Sequence, residues 1–228
     1  MKKIKRIFVV FLSLILIHLV IVAIWASGSI DDLIKSYQAN DNFVALSEEQ
    51  LGFLLKIEDP TFYTHIGVDI SNGQGLTTIS SSIARDIFLF GEELDGVSGG
   101  LQSIYRSIFK CCKKIDLGRD IMAIVLNSHI SKEEQLRIYI QNIYLGKDQD
   151  KQIIGFKSAA KSYYSKAVNE LTNVEFAGLI SMIKSPNTFH PINKPEKHKT
   201  RQNRIIRILE NKCMPEGLFD TSYEICDE

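Results

Sequence analysis

The chain has 228 residues, and its 27 Lys and Arg residues balance 27 Asp and Glu residues, so the formal net charge at pH 7 is zero. This length is enough for one sizeable domain with a hydrophobic core, and the balanced charge argues neither for nor against nucleic acid as a partner. The four cysteines lack the spacing of metal ligands. In an exported domain, Cys213 and Cys226 either form a disulfide that closes the C-terminal tail or remain free thiols.

The N-terminus predicts a membrane anchor. A basic tail at residues 1–6 precedes an apolar run at residues 7–26, which only Ser13 and His18 interrupt. About twenty helical residues span a bilayer core of roughly 30 Å, and the run is longer than the apolar region of a usual cleaved signal peptide. Because basic flanks stay in the cytoplasm, we expect a single-pass protein with its N-terminus inside and its domain on the periplasmic or extracellular side.

Two adjacent carboxylates mark the end of the first helix after the anchor. Ser47 and Gln50 have capping-box spacing and predict the start of that helix. Pro60 disfavours helix at Asp59, so the helix ends at or just before Glu58. The negative end of the helix dipole raises the pKa of carboxylates at this place toward the value that a general base needs. On these residues alone, a solvated helix end is the preferred interpretation.

The remaining patterns predict a mainly α-helical protein, because alternating strand patterns are almost absent. Residues 27–44 are expected to form a stalk, and residues 91–100 a flexible loop. Residues 101–114 are basic and amphipathic, which fits a membrane interface and an ordinary packed helix equally well. Other helices are predicted around residues 83–88, from Ile115, from Ser131 to a glycine C-cap at Gly146, around residues 159–164, at residues 174–184 after a capping box at Thr172, and over residues 194–212.

Several blocks of the sequence, in order, resemble one family, glycosyltransferase family 51, the peptidoglycan glycosyltransferases. The similarity covers about residues 45–210 and includes a first motif, a second motif, a fourth motif and two closing blocks. These blocks are Glu58-Asp59 with Phe62, His65 and Gly67 for the first motif, residues 75–85 for the second, residues 132–146 for the fourth, and residues 155–177 and 185–191 for the closing blocks.

The resemblance implies a fold, an activity and partners. The fold is a single lysozyme-like helical glycosyltransferase domain at residues 45–212, followed by a C-terminal tail at residues 213–228. Such enzymes polymerise lipid II in bacterial cell-wall synthesis, by joining the sugar of a polyprenyl-pyrophosphate donor to the 4-hydroxyl of an acceptor sugar with inversion. The expected partners are lipid II, the growing glycan strand, membrane lipid of the cytoplasmic membrane and cell-wall synthases, and no nucleic acid.

The same resemblance assigns roles to individual residues. Glu58 matches the family's general base, and Arg85 matches the basic residue of the second motif. Positive charge for the leaving pyrophosphate comes from basic residues or from a divalent cation, Mg²⁺ or Mn²⁺, and no side chain is assigned to a metal. The residues expected to bind substrate are Asp59, Phe62, His65, Gly75, Thr77, Thr78, Ser81, Arg85, Asp116 and Arg119.

Two motifs depart from the family's pattern. Ser81 and Ser82 stand where the family has glutamines, and Arg119 stands where the third motif has a second essential glutamate. The arginine either opposes the pyrophosphate directly, which makes a metal unnecessary, or marks an enzyme that has lost catalysis. Asp116 and Asp120 are alternative replacements for the missing carboxylate. Three functions stay open: a glycosyltransferase with an altered site, a catalytically impaired relative that binds lipid II, glycan or a cell-wall synthase, and a glycan-cleaving enzyme.

Overall fold

The computed structural model describes residues 2–38, 43–69, 78–109, 116–215, 220 and 222–227. Within these ranges the protein is mainly α-helical, which confirms the predicted class; the likeness to lysozyme stays a prediction. The α-helices are α1 (Lys2–Gln38), α2 (Glu48–Glu58), α3 (Ile79–Ala84), α4 (Gly96–Phe109), α5 (Leu117–His129), α6 (Lys132–Asn142), α7 (Gly155–Tyr164), α8 (Asn173–Ile183) and α9 (Pro195–Leu209). The other elements are a π-helical turn at Arg85–Phe90, short 3-10 turns at Val168–Glu170 and Glu224–Cys226, and the antiparallel strands β1 (Tyr144–Asp148) and β2 (Lys151–Ile154).

The capping boxes predicted at Ser47 and Thr172 begin helices α2 and α8. The Ser47 hydroxyl accepts a hydrogen bond from the Gln50 backbone N–H at 3.2 Å, and the Gln50 side chain accepts one from the Ser47 backbone N–H at 3.1 Å. Thr172 and Glu175 make the same exchange at the start of α8. Both pairs satisfy N–H groups that have no partner inside the helix, so they fix where α2 and α8 begin.

The chain divides into two compact units. The first contains Met1–Gln38, Ile66–Val68 and Ser80–Ser131, and in it α1 packs against α5, α4 and the π-helical turn. The second contains Ala39–His65, Asp69–Ile79 and Lys132–Glu228, and in it α2, α7 and α9 pack around α8. The interior of α8 is apolar along most of its length, with fully buried Phe176, Ala177, Leu179, Ile180 and Met182.

Helix α1 is both a candidate membrane span and part of the first unit's core. It contains Lys2–Lys35, a stretch long and apolar enough to cross a membrane. The apolar side chains before Val22 are mostly exposed, whereas Trp25 is buried and donates a hydrogen bond from Nε1 to the Ser98 carbonyl at 3.2 Å. Residues 27–38 continue this helix and do not form the predicted stalk, because Ile30, Leu33 and Ile34 are buried along one face of it.

The predicted flexible loop at residues 91–100 is partly wrong, because α4 already begins at Gly96. The buried Gln102 side chain organises the preceding turn. Its amide donates to the carbonyls of Phe88 and Glu92, both at 3.0 Å, and its oxygen accepts from the Leu94 backbone N–H at 3.0 Å. One glutamine therefore satisfies three backbone groups that a glycine-rich loop would otherwise leave to solvent.

The predicted glycine C-cap at Gly146 is also wrong. Helix α6 ends at Asn142, and Gly146 lies in β1 with a φ of +108°. A Cβ at this position would lie 2.8 Å from the Tyr163 hydroxyl oxygen. The hairpin of β1 and β2 was missed because strands of five and four residues carry too few positions to show an alternating pattern.

A disulfide joins Cys213 and Cys226, which decides between the two alternatives for the tail. The sequence separation is 13 residues, and closing a loop of this size stabilises a fold by about 3 kcal/mol through the unfolded state.

We expect Cys226→Ser to lower the free energy of unfolding by about 2–4 kcal/mol. Thermal unfolding of the full chain in detergent measures this, and reduced wild type serves as the control because it should match the variant. Labelling of both cysteines by a thiol reagent in the untreated, unfolded protein would contradict the disulfide.

Candidate active site

Glu58 is the last residue of α2 and is half-buried. Burial raises the pKa of its carboxyl group to about 7, and the neighbouring carboxylate of Asp59 acts in the same direction. Arg201 and Lys184 oppose this shift by stabilising the ionised form. Desolvation exceeds the attraction of the two cations, so Glu58 exchanges its proton near neutral pH, as a general base must.

Arg201 is the cation beside Glu58 that the sequence analysis missed. Its side chain is only 2% exposed, its Nε donates to the Ser181 carbonyl at 3.0 Å, and its guanidinium carbon lies 5.0 Å from the centre of the Phe189 ring. It occupies the inward stripe of α9, four residues before the buried Ile205. An arginine on the same helical stripe as Ile205 and Ile208 is the signal that would have found it.

Lys184 follows α8 and is the second cation that acts on Glu58. Burial, followed by repulsion from Arg201, lowers the pKa of its ammonium group to about 8. Its Nζ donates a hydrogen bond to the Ser222 hydroxyl at 2.9 Å. Glu58 therefore lies among groups from α2, α8 and α9 that are distant in sequence, and no local pattern in the sequence predicts their meeting.

The other first-motif side chains form a buried hydrogen-bonded cluster. Asp59 lies 2.9 Å and 3.1 Å, through its two oxygens, from His65 Nε2, and it accepts from the Ile79 backbone N–H at 2.8 Å. Lys132 Nζ lies 3.5 Å from His65 Nδ1 and 4.5 Å from the centre of the Phe62 ring. Asp59, Phe62 and His65 are almost inaccessible to solvent, which favours a role in holding the loop after Glu58. Their expected contact with substrate stays a prediction.

Gly67 of the first motif belongs to the first unit and meets α5 closely. Its φ is +117°, and a Cβ there would lie 2.5 Å from the Ala123 carbonyl oxygen. Any side chain would both strain the backbone and displace α5, so this position requires glycine.

The second-motif residues differ in burial and in the unit to which they belong. Thr78 is buried in the second unit, and Ser81 is fully buried in α3. Arg85 lies in the first unit with a side chain that is 44% exposed, and its Nε donates to the Asp86 carboxylate at 3.2 Å. Gly75 and Thr77 lie outside the described residues.

The third-motif region is engaged in local hydrogen bonds. Asp116 caps α5 by accepting from the Arg119 backbone N–H at 3.0 Å, and it also accepts from the Tyr105 hydroxyl. The buried Arg119 side chain donates from Nη2 to the Asp120 carboxylate at 3.2 Å. Arg85, Asp116 and Arg119 belong to the first unit, whereas Glu58 belongs to the second.

The described residues lack a cluster of side chains suited to a divalent cation. None of their His, Cys, Asp and Glu side chains form a group of three or more that could hold a metal ion. Asp116 and Asp120, the carboxylates nearest the third motif, already accept hydrogen bonds from Arg119. One oxygen of each carboxylate is already engaged by Arg119, and no third ligand joins them among the described residues, so this donor set does not fit Mg²⁺ or Mn²⁺, which need several free oxygen ligands.

A half-buried carboxylate with a pKa near 7, set in a helical unit beside two cations, is typical of an enzyme that uses acid–base chemistry. The sequence model of the family described as Transglycosylase matches residues 31–210. The chain belongs to this transglycosylase family. The matched range begins inside α1, before the predicted domain start at residue 45, and ends just after α9.

Curated relatives with longer chains are similar to most of this chain. The protein is 30% identical to penicillin-binding protein 1B of Buchnera aphidicola subsp. Baizongia pistaciae, over 68% of this chain and 20% of the relative. It is 29% identical to penicillin-binding protein 1F of Bacillus subtilis, over 80% of this chain and 25% of the relative. It is 26% identical to penicillin-binding protein 1B of Escherichia coli, over 73% of this chain and 19% of the relative. The chain spans a quarter or less of the length of these relatives.

We expect Glu58→Gln to stabilise the protein at pH 8 by about 3 kcal/mol and to leave its stability at pH 4 nearly unchanged. At acidic pH, below the ordinary value of 4.5, the carboxyl is neutral in both states. As pH rises, the unfolded chain ionises first, so wild type loses stability until the pH reaches the folded-state pKa of about 7.

Thermal unfolding of both proteins across this pH range measures the difference. Glu210→Gln changes a solvated carboxylate at the end of α9 and is the matched control for helix position. Equal stability of wild type and Glu58→Gln at pH 8 would contradict a desolvated carboxylate.

Proposed function

We propose that this protein is a membrane-anchored peptidoglycan glycosyltransferase that polymerises lipid II into glycan strands. The observation that supports it most strongly is Glu58, a carboxylate with a pKa of about 7 at the end of α2, inside a transglycosylase-family domain. Membership of the family supports the reaction class, and the names of the relatives point to cell-wall synthesis. The candidate membrane span in α1 suits a substrate that is itself a lipid.

In the proposed reaction, Glu58 removes the proton from the 4-hydroxyl of the acceptor sugar. The hydroxyl oxygen then attacks the anomeric carbon of the donor, and the bond from that carbon to the pyrophosphate oxygen breaks with inversion. The electron pair of the broken bond leaves on the polyprenyl pyrophosphate. Base catalysis of this kind contributes about 10²–10⁴-fold to the rate.

The leaving pyrophosphate needs positive charge. We assign this task to cationic side chains, with Arg119 and Arg85 as candidates, because the carboxylates near Arg119 are occupied by its own N–H groups. A divalent cation is the alternative that the family resemblance allows. Substrate binding by Arg119 requires its guanidinium to exchange Asp120 for a phosphate oxygen, and arginine suits such an exchange because its donors match both groups.

Exposed apolar side chains of the first unit support a membrane arrangement for the protein. Apolar side chains of Phe90, Val97 and Ile104 are largely exposed in the same unit as α1. Exposed apolar residues on an amphipathic helix favour the membrane-interface interpretation of this segment. We place the N-terminus of α1 in the cytoplasm and the chain that follows α1 on the outer side of the membrane, where cell-wall synthases would be partners.

A second candidate is a catalytically impaired relative that binds lipid II, glycan or a cell-wall synthase. The observation that favours it is the buried contact between Arg119 and Asp120, which keeps the guanidinium away from a ligand. Activity of Glu58→Gln in cells distinguishes the two, because a binding protein keeps its role without the base.

We expect the purified full-length protein to convert labelled lipid II into glycan polymer, and Glu58→Gln to lower the rate by about 10²-fold or more. Glu210→Gln should polymerise at the wild-type rate, because that carboxylate lies at the exposed end of α9. Absence of polymer from wild type, across detergents and with or without divalent cations, would reject the enzyme and leave the second candidate.

We expect polymerisation to continue in the presence of a metal chelator, and Arg119→Gln to lower the rate by about 10²-fold because a charged donor to the pyrophosphate is lost. Arg137→Gln is the matched control, because Arg137 also pairs with a neighbouring carboxylate, that of Glu134. Loss of activity on chelation, with recovery on adding Mg²⁺ or Mn²⁺, would show instead that a cation carries this charge.

A further inference from the structure

The C-terminal segment lies beyond the family match and is nevertheless docked beside the candidate base. The matched range ends at residue 210, and the described part of the segment comprises residues 213–215, 220 and 222–227. The disulfide from Cys213 to the buried Cys226 ties its far end to the end of α9. The family model therefore does not assign a role to this segment. We infer the role of the segment from its contacts.

Charged side chains hold the C-terminal segment against α9 and the end of α8, within the second unit. Arg204 of α9 pairs with both oxygens of Asp227, and its Nη1 donates to the Ser222 carbonyl at 2.9 Å. Lys184, one of the cations that act on Glu58, donates to the Ser222 hydroxyl at 2.9 Å. These contacts fix the residues on both sides of Tyr223, so its side chain has a defined place.

Tyr223 is the residue of the segment that reaches the site. Its side chain is only 4% exposed, and its hydroxyl donates to the carbonyl of Ile57, the residue before Glu58, at 3.3 Å. The Arg201 guanidinium carbon lies 4.9 Å from the centre of its ring. Its φ is +57°, a left-handed conformation that costs an ordinary residue about 1 kcal/mol and persists only when the surroundings enforce it.

We propose that Tyr223 is a positioning residue for Glu58, held by the disulfide-closed segment and acting through Arg201 and the end of α2. The proposal rests on the proposed role of Glu58 as the general base. Tyr223 fixes the carbonyl end of α2 through its hydroxyl and confines Arg201 between its own ring and that of Phe189. Tyr223 is buried and close enough to Glu58 for their charges to interact, so its ring would shield this side of the carboxylate from water.

The effect on Glu58 follows from the groups that face it. Removal of the Tyr223 ring admits water, so the largest cause of the raised pKa of Glu58, burial, becomes weaker. The cations near Glu58 remain, and the pKa falls toward its ordinary value. The titratable and charged groups around Glu58 and Tyr223 are Asp59 beside α2, Lys184 after α8, Arg201 and Arg204 on α9, and Asp220 and Glu224 in the segment.

The test measures the ionisation of Glu58 without relying on activity. Thermal unfolding in detergent, between about pH 4 and pH 9, is measured for three full-length proteins: wild type, Tyr223→Ala and Tyr223→Phe. Each is compared with a second version of itself that also carries Glu58→Gln. The pH at which the difference in Tm levels off reports the folded-state pKa of Glu58. We expect Tyr223→Ala to lower this pH by about one unit and Tyr223→Phe, which keeps the ring, to leave it near the wild-type value.

Two further variants separate positioning from general loss of stability. Tyr163→Ala removes another tyrosine of the second unit whose hydroxyl donates to a backbone carbonyl, that of Leu145 at 2.8 Å, and it should lower Tm without moving the Glu58 titration. Asp227→Asn weakens the exposed contact with Arg204 and should move the titration in the same direction as Tyr223→Ala, by a smaller amount. It keeps the test decisive if Tyr223→Ala does not fold.

The proposal is overturned if the Glu58 titration does not move in Tyr223→Ala. If Tyr223→Ala does not fold, an unmoved titration in Asp227→Asn has the same meaning. An equal shift of the titration in Tyr163→Ala would also overturn the proposal. The pH profile of kcat/KM for polymerisation gives an independent second readout, which should move with the thermal one. If no variant, including wild type, makes polymer while the thermal titration shifts as expected, the proposed reaction fails and the positioning of Glu58 stands.

Discussion

The chemistry of the candidate site depends on removing one carboxylate from water. Glu58 has two cations near it, Arg201 and Lys184, and such neighbours alone would keep its pKa low. Burial has the larger effect and raises the pKa to about 7. How well the surrounding side chains exclude water therefore sets the pKa of Glu58. Small changes in packing at the end of α2 would change whether Glu58 is protonated near neutral pH.

The second unit provides the rigidity that this balance needs. The capping boxes at Ser47 and Thr172 fix where α2 and α8 begin, and the buried Asp59–His65 pair holds the loop that follows Glu58. Arg201 is anchored by the Ser181 carbonyl, so its charge stays at one place beside α2. Because Asp59, His65 and Arg201 are buried and hydrogen-bonded, moving any of them would leave a polar group without a partner, at a cost of about 1–3 kcal/mol.

The segment after α9 adds contacts beside Glu58 that lie beyond the range matched by the family model. Its disulfide and its ion pair with Arg204 place Tyr223 between Arg201 and the end of α2. The first unit has a comparable feature at its own boundary, since α1 continues past the apolar run and buries Ile30, Leu33 and Ile34 against the unit's other helices. In both places, chain that resembles a tail or a stalk in the sequence is part of a core.

The sequence by itself determined the helical class, the candidate membrane span, the start of α2 and its end at Glu58, because capping residues, Pro60 and a long apolar run act locally. It also predicted a raised pKa for Glu58, but from the helix dipole, whereas burial is the largest cause. Tertiary structure alone decided that Arg201, Lys184 and Tyr223 surround Glu58, and that Cys213 pairs with Cys226 and does not remain a free thiol. The surroundings of Glu58 depend on which helices pack together, and residues more than a hundred positions apart carry no local signal of their meeting. The disulfide was left open because spacing alone does not bring two cysteines to bonding geometry.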